Sequence, residues 1–192
     1  MSKVKWKPGT MVYPLPAVLV SCGDSLSNNN LITISWTGTI NTDPPMVYIS
    51  VRPSRYSFDI ITETKEFVIN LTTRNMAFAT DWCGVKSGKD FNKFKEMKLT
   101  PIAAEFVKCP MVAESPINIE CIVKQIIPLG SHSMFIAEVV RVHAAEEFLD
   151  KKTGAFDMQK AELLVYSHGN YYELGDKIGR FGHSVMKKKK KK

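Results

Sequence analysis

The stretch NNNLITISWTGTINTDPPMVYISVRPSRYS, residues Asn28–Ser57, decides how this chain folds. Its first run, Leu31–Thr37, and its second run, Met46–Arg52, both alternate side chains as β-strands do. The apolar faces carry Ile32, Ile34 and Trp36 in the first run and Val47, Ile49 and Val51 in the second. The opposite faces carry Thr33, Ser35 and Thr37, and then Tyr48, Ser50 and Arg52. We expect two strands that lie side by side and bring hydroxyl and guanidinium groups to one edge.

This edge has the chemistry of an anion site. Phosphate binding requires several neutral donors and a fixed planar cation, which Arg52 and Arg55 would provide. Ser57 is interpreted as the cap of a short helix, Phe58–Thr64, whose N-terminus attracts anions. A hydroxyl stripe is equally typical of a solvated sheet face, and an arginine after a strand commonly lies on the surface. Periodicity therefore indicates an anion site without naming its ligand.

The rest of the chain predicts a mainly antiparallel β (α+β) fold. Further strands are expected at Ala17–Cys22, Glu66–Leu71, Ile117–Ile127, Met134–His143 and Leu163–His168. Two more short helices are expected, over Arg74–Cys83 and around Phe91, Phe94 and Met97, with a glycine-bearing loop Cys83–Asp90 between them. Short helices inserted between many strands indicate a closed or partly closed β-barrel, formed by a single domain over residues 1–186.

The net charge is concentrated in a tail. The chain has 26 basic and 19 acidic residues, and Lys187–Lys192 supply six of the basic ones, which leaves 20 against 19, a net charge of +1. We expect this polylysine tail to be disordered, although a basic tail can also attract nucleic acid or an anionic membrane. The polar segment Met1–Pro8 does not resemble a signal peptide, and no window is apolar enough to span a membrane. A cytoplasmic location is expected.

The motifs of hydrolytic and metal-dependent enzymes are missing from the sequence. It contains no Ser-His-Asp pattern, HExxH motif or phosphate-binding Walker loop. Its four cysteines have no CxxC spacing, so we expect free thiols and no metal site. Two candidate catalytic residues remain. Cys83 lies beside Gly84 in a polar loop that permits exposure, and His168 ends the last strand; an inert thiol and a surface histidine are the alternatives.

An ordered series of motifs carries a family resemblance. The motifs are NLITISW (Asn30–Trp36), DPPMVYISVRPSRYS (Asp43–Ser57), EFVINL (Glu66–Leu71), DWCGVKSGKDFNKF (Asp81–Phe94) and YSHGNYYELG (Tyr166–Gly175). A single motif such as DPP is weakly specific, whereas the ordered set of motifs over nearly the whole chain is highly specific. The sequence resembles the flavin reductase-like family of the flavoredoxin type. The resemblance implies a split β-barrel that binds FMN non-covalently, usually as a homodimer whose interface helps to shape the flavin site.

The resemblance also implies site residues and an activity. Family flavin contacts map onto Asn30, Thr33, Ser35, Trp36, Ser50, Arg52, Arg55 and Ser57. Ser87, Gly88, Asp90 and Tyr171, with Cys83 and His168, match segments that line the reactive face. The implied activity passes electrons from NADH or NADPH through FMN to a small-molecule or protein redox acceptor. An FMN-binding electron carrier without its own NAD(P)H turnover is the alternative. Neither a membrane nor a nucleic acid is an expected partner, although a nucleic-acid-binding barrel that uses the lysine tail is a third interpretation.

Overall fold

A computed structural model of the chain describes residues 1–185. Its strands are β1 Leu15–Pro16, β2 Val18–Gly23, β3 Asn29–Ile34, β4 Thr37–Asn41, β5 Met46–Val51, β6 Glu66–Leu71, β7 Pro101–Ile102, β8 Met111–Val112, β9 Ile117–Pro128, β10 Ser133–Ala144, β11 Leu164–Ser167 and β12 Asn170–Glu173. Its helices are α1 Tyr56–Thr64, α2 Ala77–Val85 and α3 Lys93–Glu96, with single 3₁₀ turns at Arg74–Met76, Glu146–Phe148 and His183–Val185. The predicted tail, 187–192, lies outside the described residues.

Seven of the strands form one antiparallel sheet in the order β3-β2-β6-β9-β10-β5-β4. Its inner face encloses a single apolar core because every second residue of each strand points inward. This core includes Val18, Val20, Ile32, Ile34, Ile49, Val51, Phe67, Ile69 and Phe135, all buried. Strands β9 and β10 form a long antiparallel hairpin and correspond to the predicted strands Ile117–Ile127 and Met134–His143. The structure confirms the mainly antiparallel barrel with short inserted helices.

The two strands of the opening stretch are not neighbours, so that expectation is wrong. Four strands separate β3 from β5 in the sheet order. The reason is that β3 ends at Ile34, and the chain turns at Ser35 and Trp36 into β4, which pairs with β5 instead. The ends of the two runs nevertheless meet, because the β4–β5 ladder continues into this turn, where the backbone N–H of Ser50 donates to the carbonyl oxygen of Trp36 at 2.8 Å. The predicted convergence of the two runs is therefore confirmed by a different route.

Helix α1 begins at Tyr56, two residues earlier than predicted, and Ser57 does not cap it. Arg55 occupies the cap position without a side-chain cap bond, while Ser57 lies buried in the first turn. Its Oγ accepts a hydrogen bond from Nδ2 of Asn30 at 2.8 Å, which joins the start of α1 to the start of β3. The helix ends at Thr64, and the left-handed backbone of the next residue, Lys65 (φ 59°), lets its N–H donate to the carbonyl oxygen of Ile61.

Cys83 lies in a helix, so the prediction of an exposed loop thiol is wrong. Helix α2 continues to Val85, and the side chain of Cys83 is buried against the outer face of β3 among Leu31, Met76 and Phe94. A protonated thiol packs there as a small apolar group, so its burial carries no desolvation penalty for a charge. The loop that follows α2 is consequently shorter than predicted and starts at Lys86.

The last predicted strand becomes a hairpin. Strand β11 pairs with β12 and with β1, and the turn at His168 and Gly169 has left-handed backbone at both residues (φ 50° and 88°). The carbonyl oxygen of Thr72 accepts the N–H of Leu164, which fixes this hairpin to the end of β6. The hairpin thus forms a wall beside the open end of the barrel. Within residues 1–185 no helix has the length and apolar character to cross a bilayer.

Candidate functional site

A cleft of about 470 Å³ opens where the ends of β3 and β5 meet α2 and the β11–β12 hairpin. It collects seven of the residues predicted from the sequence: Thr33, Ser35, Trp36, Ser50, Arg52, Arg55 and Tyr171. It also contains Asp81 and Gly84 of α2, with His132 and Tyr166, which the sequence did not single out as site residues. Thr33 serves a structural purpose as well, because its hydroxyl donates to the carbonyl oxygen of Thr80 in α2.

A second, smaller pocket of about 100 Å³ adjoins the cleft and shares Ile32, Arg55 and Gly84 with it. Four more predicted residues line it: Asn30, Ser57, Ser87 and Gly88. Ser54, Tyr56, Cys83, Lys86 and Lys93 complete its walls. Because Arg55 borders both cavities, one elongated ligand could occupy the two together.

Lys93 is the residue that gives the small pocket its character. The side chain is only 4% exposed, and its Nζ donates to the carbonyl oxygen of Cys83 at 2.7 Å. Among residues 1–185 no carboxylate forms an ion pair with this ammonium group. The pKa of Lys93 is lowered to about 8, chiefly by burial and to a smaller extent by nearby Arg55, although the thiols of Cys83 and Cys22 act in the opposite direction. The pocket therefore contains a buried cation that lacks a counter-ion.

The start of α1 adds a second source of positive potential. Tyr56 and Ser57, its first two residues, line the small pocket. The first N–H groups of a helix have no intrahelical acceptor and carry the positive end of the helix dipole. An anion in this pocket would meet these donors together with Lys93 and Arg55.

Gly88 allows the loop after α2 to close over the pocket. A Cβ at this position would lie 2.1 Å from Oδ1 of Asn30, whose side chain is buried and bonded to Ser57. Only a glycine fits so close to a buried, hydrogen-bonded side chain without displacing it or the loop. Asp90, predicted to join this loop in the site, lines neither cavity; it is exposed, and its backbone N–H donates to the carbonyl oxygen of Ser87.

The cleft is lined by aromatic rings. The rings of Trp36 and His132 stack at 6.3 Å with an angle of 5° between their planes. Tyr166 lies 6.2 Å from Trp36 and 5.9 Å from Tyr171, measured between ring centroids. Trp36 remains 36% exposed. These faces can bind a planar ligand by stacking.

Two polar contacts hold the edge of this cleft. The hydroxyl of Tyr171 donates to Oδ1 of Asp81 at 3.2 Å, which ties the hairpin to α2. Partial burial and this carboxylate raise the pKa of Tyr171 to about 12, so the phenol stays protonated. Burial and the neighbouring Arg52 lower the pKa of His132. The neutral form of the His132 imidazole is therefore favoured.

Neither predicted catalytic candidate faces the cleft as a reactive group. His168 lies in the hairpin turn, exposed, with its ring packed edge-on against Tyr13 at 5.8 Å. Burial raises the pKa of the Cys83 thiol to about 11, so it is protonated at neutral pH and a poor nucleophile. Within the described part of the chain, no three His, Cys, Asp or Glu side chains are grouped as metal ligands would be.

Lys93 and His132 could not be recognised from the sequence, because what distinguishes them is their position in the folded chain. Lys93 is one of four lysines in the segment 86–95, and nothing in the spacing distinguishes it from Lys86, Lys89 and Lys95. Its burial follows from the position of α3, whose neighbouring Phe94 packs under α2. His132 belongs to none of the quoted motifs, and nothing in the sequence pairs it with Trp36, on which its ring stacks.

Comparison with known proteins agrees with this architecture. The family model described as "Flavin reductase like domain" matches residues 10–175. An uncharacterized protein of Pyrococcus abyssi is 30% identical over 171 residues, which cover 88% of this chain and 96% of the relative. The chain is also similar to the flavoredoxin of Desulfovibrio vulgaris (Miyazaki F), with a TM-score of 0.89 and 29% identity over 96% of this chain and all (100%) of the other.

A second solved flavoredoxin, from Methanosarcina acetivorans, has a TM-score of 0.86 and is 27% identical over 97% of this chain and 100% of its own. These similarities extend over the barrel, the helices around the two cavities and the β11–β12 hairpin. They confirm the split-barrel fold and the resemblance read from the ordered motifs. The chain belongs to the flavin reductase-like family.

Proposed function

We propose that this protein binds FMN, with the phosphate in the small pocket and the ring system in the aromatic cleft, and that it is an oxidoreductase which passes electrons from NADH or NADPH to an acceptor. The observation that carries the proposal is Lys93, a buried cation without a carboxylate partner, in a pocket that adjoins a cleft lined by aromatic rings. A generic phosphate site would not require the second cavity.

The charges of the small pocket fit a phosphate monoester. Such a group carries about −1.5 to −2 charges near neutral pH. Lys93 and Arg55 supply two positive charges, and the start of α1 adds a partial one. Asn30, Ser57 and Ser87 provide neutral donors around them. Charge-assisted hydrogen bonds of this kind are the strongest that a protein forms with an anion.

The cleft fits the ring system of a flavin. Trp36, His132, Tyr166 and Tyr171 offer faces and edges for a planar heterocycle, and Ser35 and Ser50 offer hydroxyl groups at its rim. Bound FMN would supply the hydride and electron chemistry. The residues of this chain would orient the ring, shield it from water on the α2 side and fix the hairpin wall through the bond between Tyr171 and Asp81.

The reductant would approach from the open side of the cleft. Arg52 lies there, beside His132, and does not line the small pocket. Among the described residues it takes part in no ion pair with a carboxylate. A guanidinium group in this position suits the phosphates of a nicotinamide dinucleotide. The acceptor is proposed as a small molecule or a second redox protein.

The proposal includes a homodimer. Helix α2, which borders the cleft, exposes 75% of Phe78 and 68% of Val85. Side chains of this kind at the rim of a site favour an interface, because isolated domains seldom leave several large apolar groups exposed together. Light scattering of the purified protein, with Phe78→Ser as the variant, tests this part; a monomeric wild type would contradict it.

Titration of the apoprotein with FMN and with riboflavin tests the cofactor. The two ligands share the ring and differ in the phosphate, so the small pocket should favour FMN by about a hundredfold, from two charge-assisted contacts. Equal affinities would rule out the phosphate assignment. Anaerobic mixing of the loaded protein with NADH or NADPH then tests the activity. A flavin that is bleached only when a separate reductase is added would identify the protein as an electron carrier instead.

A further inference from the structure

The β11–β12 hairpin belongs to a small sheet of its own. It forms an antiparallel sheet with β1, separate from the seven-stranded sheet of the barrel. One end of the hairpin is attached to the barrel, where the backbone N–H of Leu164 donates to the carbonyl oxygen of Thr72 at 2.9 Å. Glu173, which lies opposite Leu164 in the hairpin, also forms an ion pair with Arg74 at 3.0 Å. We call this end the base of the hairpin.

The other end of the hairpin is fastened to α2 by a side chain. Within residues 1–185, one hydrogen bond joins side chains of the two elements, from the hydroxyl of Tyr171 to Oδ1 of Asp81 at 3.2 Å. Tyr171 lies opposite Tyr166 and close to the turn at Gly169. Both tyrosines line the cleft, and the ring of Tyr166 contacts that of Trp36. The hairpin is therefore fixed at its base and held across the cleft by this polar contact and a ring contact.

We propose that the bond between Tyr171 and Asp81 is a latch, and that the hairpin is a flap whose opening sets the rate at which a flavin enters and leaves the cleft. This inference rests on the proposed function and extends it to the control of ligand exchange. Asp81 is then a positioning residue, since its carboxylate holds Tyr171 and does not take part in electron transfer. A ligand enclosed between the barrel, α2 and the hairpin leaves only when one of these walls moves.

The hairpin is the wall that can move with the least disruption. Strands β3 and β5 belong to the barrel sheet, and α2 packs on β3 through Cys83 and through the hydrogen bond from Thr33 to Thr80. Movement of the hairpin about its base requires that Tyr171 leave Asp81 and that two rings separate. Water then hydrates both polar groups, so neither is left buried and unpaired. Local openings of this kind cost much less than unfolding of the barrel.

NMR relaxation dispersion of the apoprotein tests the latch without any flavin, because it detects a minor open state that exchanges in microseconds to milliseconds. Tyr171→Phe removes the hydroxyl and keeps the ring. It should raise the open population at the amides of β11 and β12 about fivefold, as expected for the loss of one hydrogen bond, and leave β9 and β10 unchanged. Tyr172→Phe is the matched control, because the next residue of β12 lines neither cavity. Equal open populations in the wild type and Tyr171→Phe would overturn the latch.

Rapid mixing of the full chain with FMN tests the flap. The latch joins two residues of the chain, so it closes the flap both before and after a ligand binds. In Tyr171→Phe the association and dissociation rate constants should therefore both rise about fivefold, while the dissociation constant changes by less than about twofold. Dissociation is measured by trapping released FMN with an excess of another FMN-binding apoprotein. Two unchanged rate constants, or a faster dissociation alone, would overturn the proposal.

A double variant tests whether the two residues act through one bond. Tyr171→Phe combined with Asp81→Ala should exchange FMN no faster than either single variant, since both remove the same contact. Additive effects would contradict the pairing. A wild-type protein that does not bind FMN would refute the proposed function, and the relaxation measurement would still decide whether Asp81 holds the hairpin closed.

Discussion

The Nζ of Lys93 and the carbonyl oxygen of Cys83 lie 2.7 Å apart, and this hydrogen bond ties the first residue of α3 to the last turn of α2. It holds a positive charge inside the small pocket. We therefore expect Lys93→Met to weaken FMN binding by about 1.5–3 kcal/mol, the range for a hydrogen bond to a charged group. The same variant should leave the apoprotein at least as stable as the wild type, because it removes a buried charge.

Isothermal titration with FMN and thermal melting of the apoprotein measure these two effects. Lys95→Met is the matched control: Lys95 lies on the same short helix but is exposed. If Lys93→Met and Lys95→Met bind FMN equally well, the small pocket does not hold the phosphate.

The pKa of Lys93 predicts opposite pH dependences for ligand binding and for folding. In the apoprotein this pKa is about 8, below the ordinary value of a lysine, so the unfolded chain binds more protons than the folded one above pH 8. The free energy of unfolding of the apoprotein should therefore rise as the pH increases from about 8 to 10. FMN affinity should fall over the same interval, because the ammonium form binds the phosphate. Affinity measured at pH 7, 8, 9 and 10 should show the fall, and Lys93→Met should abolish both trends.

Arg55 borders both cavities, so its loss should weaken binding of the phosphate strongly and binding of the flavin ring only slightly. We expect Arg55→Ala to weaken FMN binding by about 1.5–3 kcal/mol, and riboflavin binding by much less. Arg74→Ala serves as the control, since Arg74 is exposed and paired with Glu173 outside the small pocket. Fluorescence quenching of each flavin provides the affinities. Unchanged affinity for FMN would remove Arg55 from the site.

Gly88 tests the geometry of the pocket without changing its charge. In Gly88→Ala the new Cβ would overlap Oδ1 of Asn30, so either the loop moves away from the pocket or Asn30 moves and weakens its bond to Ser57. We expect a drop in FMN affinity of at least tenfold with little change in the far-UV circular dichroism spectrum. Gly175→Ala, where a Cβ would meet nothing within 4 Å, is the control. Wild-type affinity in Gly88→Ala would mean that the loop does not close the pocket.

Glu120 lines neither cavity, and its carboxyl makes the stability of the fold depend on pH in the acid range. Burial would raise the pKa of this carboxyl, but hydrogen bonds from the backbone N–H of Glu105, from His143 and from the N–H groups of Phe106 and Val107 together lower it. A carboxyl with a lowered pKa stabilises the fold above the pKa of the unfolded chain, about 4.3, and the stabilisation is lost as the pH falls below that value.

Glu120→Gln should therefore lower the free energy of unfolding at pH 7 by about 2 kcal/mol, and the difference from wild type should shrink below about pH 4. Glu114→Gln is the control, because Glu114 also accepts a backbone N–H, from Thr100, but is exposed. Urea unfolding at pH 3.5, 5 and 7 measures the difference. A gap that stays constant with pH would show that the ionised form of Glu120 contributes nothing.

The sequence predicted most elements of the fold because alternation and helix spacing are local. The strands over Ile117–Ile127 and Met134–His143 are present with nearly the predicted bounds. The position of β3 relative to β5 was not predictable in this way, because it depends on the order in which distant strands pair. The turn at Ser35 and Trp36 interrupts the alternation without a glycine or proline to announce it.

The site was predicted in part. Eleven residues inferred from the motifs line one of the two cavities: Asn30, Thr33, Ser35, Trp36, Ser50, Arg52, Arg55, Ser57, Ser87, Gly88 and Tyr171. Asp90 and His168 lie outside the cavities, since short turns direct them to solvent. Cys83 lines the small pocket, but α2 extends through it and buries its thiol. Lys93 was missed because burial of a lysine depends on helices packed around it.

The wide spacing along the sequence of the segments that line the cleft has a consequence for folding. Strands β3 and β5, helix α2 and the β11–β12 hairpin all contribute side chains to it, from Ile32 to Tyr171, so the cleft is complete only when these elements have packed together. A partly assembled sheet therefore has no cofactor site, and a ligand of this site binds only the completed barrel. By mass action, ligand at a hundred times its dissociation constant adds about 2.7 kcal/mol to the stability of the closed form alone. Cofactor supply during synthesis would thus favour the molecules that have finished folding, and a bound chromophore would report barrel closure directly.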